Sequence, residues 1–160
     1  MENITTLSTL EDLDSQTKIL LQKAEDALPF AYAPYSRFRV AAALLLDNGV
    51  IITGTNQENA AYPDGMCAER VALFTKAAQY PDEGIKKLVI IAKSEHAQKL
   101  SPATCCGSCR QVMLEFEQRQ GKAFEVTMLG KENNWINASS AEALLPFSFT
   151  KRDLDESQGL

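Results

Sequence analysis

The placement of four cysteines constrains this chain more than any other feature. They stand at Cys67, Cys105, Cys106 and Cys109, three of the four within five residues. A secreted disulfide framework spreads its cysteines along the chain to close loops, and this cluster does not. The start, Met1-Glu2-Asn3-Ile4, has neither a basic end nor an apolar stretch, so no secretory signal is read, and the expected compartment is reducing, the cytoplasm. There, clustered cysteines are read as metal ligands or redox groups. Cys67 and Cys106 are 39 residues apart. That gap holds the rest of one helix, a strand and a loop, a unit that can bring two helix starts together.

The surrounding pattern supplies those elements. Asp14 or Ser15 caps a helix whose apolar positions, Ile19, Leu20, Ala24, Ala27 and Leu28, follow helical spacing up to Pro29. Val40–Leu46 is a continuous apolar run of strand length, and Asp47-Asn48-Gly49 turns it into a return strand from Val50 to Thr53. Pro63-Asp64-Gly65 breaks a loop over 56–66. Helices are expected from Cys67 to near Pro81 and from Cys106-Gly107 to near Gly121. Strands are expected at Leu88–Ala92, at Phe124–Leu129 and from Trp135-Ile136. A short helix is read over Ala141–Leu145, capped by Ser139 or Ser140. Strands interleaved with helices give an α/β layering.

With 160 residues, 45% of them apolar and 23% charged, the chain fits one soluble domain with a real core. We expect a loose acidic arm over 1–14, a single domain over 15–150 and a frayed tail over 151–160. The net charge of −5 argues against a nucleic-acid partner, whose footprint is a basic stripe. The longest apolar run, Val40–Leu46, is far short of the ~20 residues that a bilayer span needs, so no membrane partner is expected. Arg37/Arg39, Lys86/Lys87 and the single histidine, His96, read as solvated charge.

Cys67-Ala68-Glu69 and Cys106-Gly107-Ser108-Cys109 carry the chemistry. Cys106 and Cys109, at i and i+3, share one side of a helical turn. Cys67 opens the other helix, so three thiols meet two positive helix ends, which favours thiolate. Three thiolates are one ligand short of a closed tetrahedral zinc site, and the open position is what a catalytic zinc requires. Glu69 is a poor fourth ligand beside soft thiolates but a suitable group to carry a proton. A Cys₃ zinc, a nearby non-ligand Glu and a Cys-x-x-Cys make up the zinc-deaminase signature.

At this point the chain resembles the small homotetrameric cytidine deaminases. Cys67-Ala68-Glu69-Arg70, Cys106-Gly107-Ser108-Cys109-Arg110-Gln111, Ala31-Tyr32-Ala33-Pro34-Tyr35-Ser36, the segment from Asn56 to Tyr62, and Leu144-Leu145-Pro146 carry the likeness, in order, from about residue 20 to 150. The resemblance implies a three-layer α/β/α sandwich with a mixed sheet of about five strands. It implies one Zn²⁺ per chain on Cys67, Cys106 and Cys109, Glu69 as the catalytic proton shuttle, and Arg70 as hydrogen-bond donor to the thiolates. Substrate-binding positions are Phe38 beside the pyrimidine, Ala68, Asn56 and Glu58 at the ribose 3′-hydroxyl, and Phe149 reaching a neighbouring subunit's site. The implied reaction is hydrolytic deamination of cytidine and 2′-deoxycytidine, in pyrimidine salvage, by a homotetramer.

Two departures stand out. Cys105 replaces the family's usual Pro, which leaves open whether its thiol competes for the metal, and Ala41 replaces a Gly. Which of Phe147 and Phe149 crosses between subunits also stays open. Two other readings were weighed: an enzyme acting on another aminated nucleoside or a nucleic-acid base, and a non-catalytic zinc scaffold. Asn56 and Glu58 speak for a free nucleoside, and Glu69 speaks against a mere scaffold.

Overall fold

Asp14 accepts a hydrogen bond from the Thr17 N–H at 3.0 Å and from the Thr17 hydroxyl at 2.7 Å, which starts helix α1 (Ser15–Ala27). Pro29 stops it through a single 3₁₀ turn, Leu28–Phe30. In this computed structural model, which describes residues 3–157, strands β1 (Ile4–Leu7), β2 (Phe38–Leu46), β3 (Ile51–Thr55), β4 (Ile85–Ser94), β5 (Glu125–Leu129) and β6 (Trp135–Ala138) form one sheet. Helices α2 (Ala68–Gln79), α3 (Gly107–Gln120) and α4 (Lys151–Ser157) complete the described elements, apart from short 3₁₀ turns.

The sheet runs β1-β6-β5-β4-β2-β3. Only β4 and β5 are parallel; the other neighbours are antiparallel. The parallel pair is joined across α3, as a parallel connection requires. β2 is buried on both faces, which is why Val40–Leu46 reads as an unbroken apolar run. Ala41, Ala43 and Leu45 pack with Leu20, Leu21 and Ala24 of α1. Ala42, Leu44 and Leu46 pack instead with Ala72 and Leu73 of α2 and Met113 and Phe116 of α3. The result is a three-layer α/β/α sandwich with α1 on one face and α2 and α3 on the other.

The sheet has six strands where about five were expected. The extra one is β1, from the segment read as a loose arm. Its residues Ile-Thr-Thr-Leu are β-branched or apolar, and they pair with β6 from Ile4↔Ala138 to Leu7↔Trp135, covering an edge that would otherwise be bare. Residues 151–157, expected as frayed, form α4, and Asp153 caps its start by accepting from the Thr150 N–H and hydroxyl. The short helix after Ser140 is a 3₁₀ turn, Glu142–Leu144.

Lys87 is a further correction. It is 9% exposed and not solvated, because β4 points it at the start of α1. There it donates to Asp14 and to Thr17, and it pairs with Glu125 at 3.1 Å. Among the described residues, no helix is long and apolar enough to cross a membrane.

Candidate metal centre

Two helix starts meet at one end of the sheet. Cys67 is the N-cap of α2 and Cys106 the N-cap of α3, both in extended backbone conformation with no side-chain cap bond. α2 is held close to the sheet by Gly54 of β3. A Cβ there would lie 2.5 Å from both the Ala68 carbonyl oxygen and the Ala72 nitrogen, so only glycine permits this approach. α3 ends where Gly121 adopts φ +64°, the left-handed conformation that glycine takes without strain.

The sulfurs of Cys67, Cys106 and Cys109 all lie within 4.8 Å of one another. Cys67 and Cys106 are 3.9 Å apart, and Cys106 and Cys109 3.5 Å. Tetrahedral ligands at a Zn–S distance of about 2.3 Å lie about 3.8 Å from each other. The donor set and its spacing therefore fit zinc, with room for one further ligand. Cys105 lies outside this group; its side chain is buried in the core with Ala138, Ala141 and Leu144. The Cys105 carbonyl accepts from Arg110 Nε at 3.1 Å.

The thiols are linked in series, Cys67 to Cys106 and Cys106 to Cys109. Hydrogen bonding from Cys109, with help from Arg70 and Cys106 and against the effect of burial, pulls the Cys67 thiol down to about 5. Cys109 is pushed up by the same hydrogen bonding with Cys67 and by burial. Arg70 Nη2 stands 3.6 Å from Cys67 Sγ, and its Nε is buried with no hydrogen-bond partner among the described residues. Glu69 is 4% exposed. Burial raises its carboxyl, the Cys67 charge adds to that, and bonds from its own backbone and from Cys109 act the other way.

Cys67, Glu69, Arg70 and Cys106 line a cavity of about 730 Å³, together with Phe38, Val40, Asn56, Glu58, Ala68 and Ile90, a size usual for a small-molecule site. The sequence-read positions Phe38, Asn56, Glu58, Cys67, Ala68, Glu69, Arg70 and Cys106 all line it, and Cys109 joins through its sulfur. Phe149 does not line it. It is 61% exposed, and its carbonyl accepts from Gln111 Nε2 at 2.8 Å.

Glu58 Oε2 accepts from the backbone N–H groups of Tyr35 at 2.9 Å and Ser36 at 3.3 Å. The Ser36 side chain most of all, and then these backbone bonds, hold its carboxyl below the ordinary range.

Several wall residues were not singled out from the sequence. Tyr35 and Tyr62 both line the cavity and meet edge-to-face, with ring centroids 5.8 Å apart. Tyr35 falls within Ala31–Ser36 and Tyr62 within Asn56–Tyr62, which is their only signal in the sequence. Ala103 and Thr104 line the cavity just before the cysteine pair. Arg110 bridges the Cys105 and Leu144 carbonyls, a link that spacing alone does not reveal.

Comparison with known proteins gives consistent findings. The family model described as "Cytidine and deoxycytidylate deaminase zinc-binding region" matches residues 14–123. A cytidine deaminase of Halalkalibacterium halodurans is 39% identical over 87% of this chain and 98% of its own length. A probable cytidine deaminase of Dictyostelium discoideum is 38% identical, with 84% of each chain covered. The crystal structure of cytidine deaminase from Burkholderia pseudomallei superposes with a TM-score of 0.68 at 35% identity, over 86% of this chain and 100% of that one.

Proposed function

The chain belongs to the cytidine and deoxycytidylate deaminase zinc-binding family, and from that premise we propose that it is a cytidine deaminase, converting cytidine and 2′-deoxycytidine with water to uridine or 2′-deoxyuridine and ammonia. The observation that carries this is the buried carboxyl of Glu69 in a cavity lined also by Cys67 and Cys106, two of the three grouped thiols.

Cys67, Cys106 and Cys109 would hold one zinc ion, a Lewis acid that makes water acidic enough to attack at neutral pH. Glu69 receives the proton of the attacking water and delivers it to N3 of the pyrimidine as oxygen adds to C4. It then takes the proton of the new C4 hydroxyl and gives it to the amine, so that the C4–N bond breaks, ammonia leaves and the C4 carbonyl forms. Screened from bulk water, it keeps that proton within the site. Arg70, 3.6 Å from Cys67 Sγ, offsets the negative charge of the thiolates. Phe38 lies along the base, with Ala68 beside it, and Asn56 and Glu58 address the sugar so that C4 is held beside Glu69.

The family covers both nucleosides and nucleotides, and the charge of the cavity favours the nucleoside. Two carboxylates, Glu58 and Glu69, face it, and the one cation among the described lining residues is Arg70, turned to Cys67. A phosphate would meet repulsion without a partner. The 3′-hydroxyl that Glu58 would read is common to cytidine and 2′-deoxycytidine, and the reaction suits pyrimidine salvage. Four thiols, none in a disulfide, suit a reducing compartment such as the cytoplasm.

A homotetramer that completes each site from neighbouring chains is part of this reading. Support comes from Phe147 at 95% and Phe149 at 61% exposure, the Nε of Arg70, unpaired among the described residues, and the exposed Tyr62 that lines the cavity. Apolar surface left over in this way marks a partner interface.

The test is direct: purify the protein, measure bound zinc, and follow the ultraviolet absorbance of cytidine and of its 5′-monophosphate. The expected result is about one zinc per chain and turnover of cytidine well above the nucleotide. Cytidine left unchanged by zinc-loaded protein would refute the proposal.

A further inference from the structure

Strand β2 serves two cavities. Phe38 and Val40 line the one that holds Cys67 and Glu69. Arg39, between them in sequence, lines another of about 490 Å³, together with Arg37 just before the strand. Successive side chains of a strand point to opposite faces, so Arg39 shares the face of Ala41 and Ala43, which pack with α1. The loop ahead of β2 divides in the same way. Ala31 to Pro34 belong to the second cavity, Tyr35 and Ser36 to the first. The turn after β4 closes the second cavity: the Arg37 carbonyl accepts from the Glu95 N–H at 2.9 Å, and Glu95 and His96 stand in the wall.

The charges gathered there do not balance. Arg37 Nε meets Glu95 Oε2 at 3.7 Å, and Glu95 is the one carboxylate among the described lining residues. Arg39 stands directly opposite Lys93 in the β2–β4 ladder, a like-charge pair that costs stability. Both are partly buried, and neither side chain has a hydrogen bond or ion pair among the described residues. His96 adds a ring N–H donor in either tautomer. Two guanidinium forks on one cavity match the oxygens of a phosphate group, which they can bind in pairs. Tyr32 and Pro34 give the cavity an apolar side that could hold the rest of a phosphate ester.

We propose that this second cavity is a binding site for the phosphate group of a small molecule, gripped by Arg37 and Arg39 with His96 as a further donor. Its ligand neutralises the Arg39–Lys93 repulsion that the protein itself leaves unpaired. The proposal goes beyond the deaminase reading and stands without it.

The experiment is isothermal titration of the zinc-loaded full chain with inorganic phosphate, adenosine 5′-monophosphate and adenosine, in sodium chloride of matched ionic strength. An adenine nucleotide is used because its base does not suit a pyrimidine site. Phosphate is expected to bind with a Kd on the order of 1 mM, and adenosine not to bind. A tighter monophosphate identifies an ester as the ligand, and one no tighter identifies free phosphate; either supports the site. Arg37→Gln and Arg39→Gln should each weaken binding about 10-fold or more, while Glu95→Gln, which frees Arg37, should strengthen it. Circular dichroism and zinc content of each variant report that the fold is kept. No binding of phosphate or monophosphate at about ten times that Kd, or adenosine binding as tightly as its monophosphate, would overturn the proposal. So would affinity unchanged in Arg39→Gln, which would place the anion elsewhere, as on the zinc.

Discussion

Replacing Gly54 by alanine should damage the site from outside it. The added Cβ would sit 2.5 Å from the Ala68 oxygen and the Ala72 nitrogen, where ordinary contact begins at 3.4 Å. Both obstacles are backbone, so no side chain can turn away, and one element must retreat by about 0.9 Å. If α2 retreats, it carries Cys67, its N-cap, and a metal site tolerates only about ±0.2 Å in ligand distance. If β3 retreats, it carries Asn56 and Glu58 and opens the opposite wall. Overpacking of this kind costs ~1–3 kcal/mol, which for a chain of this size lowers Tm by about 3–10 °C. Differential scanning calorimetry, zinc competition with a chelator and steady-state kinetics separate the two routes. Weakened zinc retention identifies α2 as the element that moved, and raised KM with zinc retained identifies β3. A Gly54→Ala protein with wild-type Tm, zinc retention and KM would refute the close-approach argument.

Other outcomes follow from single contacts. Burial pushes the Asp14 carboxyl up, but Lys87 and Thr17 more than offset this and hold it well below the usual range. Its contribution is therefore full above about pH 4, the unfolded value, and is lost as pH falls further. Asp14→Asn should flatten the acid limb of a Tm-versus-pH curve while keeping the helix cap; parallel curves for the two proteins would count against the pairing. Glu58→Gln should raise KM for cytidine at least ~10-fold and free the Tyr35–Ser36 loop, seen as faster amide exchange there; unchanged KM would remove Glu58 from the sugar. Cys105→Ser should lower Tm slightly, because a buried hydroxyl replaces a thiol, yet keep about one zinc per chain; loss of zinc would make Cys105 a ligand.

Much of the architecture was legible because the chemistry was local. Asp14 capping, Pro29 stopping, Asn48-Gly49 turning and the run Val40–Leu46 each act within a few residues, and the elements they imply are present. Cys67, Glu69, Cys106 and Cys109 were legible because helix starts and i, i+3 spacing fix where such side chains point. What escaped depends on partners distant in sequence. β1 reads as polar arm until β6 offers it an edge. Lys87 reads as solvated until β4 brings it to Asp14 and Glu125, across 73 residues in the first case. Arg110 reaches Leu144 across 34 residues, and nothing around either residue announces the contact.

The central claim is that Glu69 moves the proton while the three thiols hold the metal. Turnover of cytidine by zinc-loaded Glu69→Gln tests it most directly. The amide keeps the size of the side chain and its place in the site but cannot accept the proton. The account predicts about one zinc per chain, a fold unchanged by circular dichroism, and kcat reduced at least ~10²-fold. A zinc-loaded Glu69→Gln protein turning over cytidine within a few-fold of wild type would contradict it.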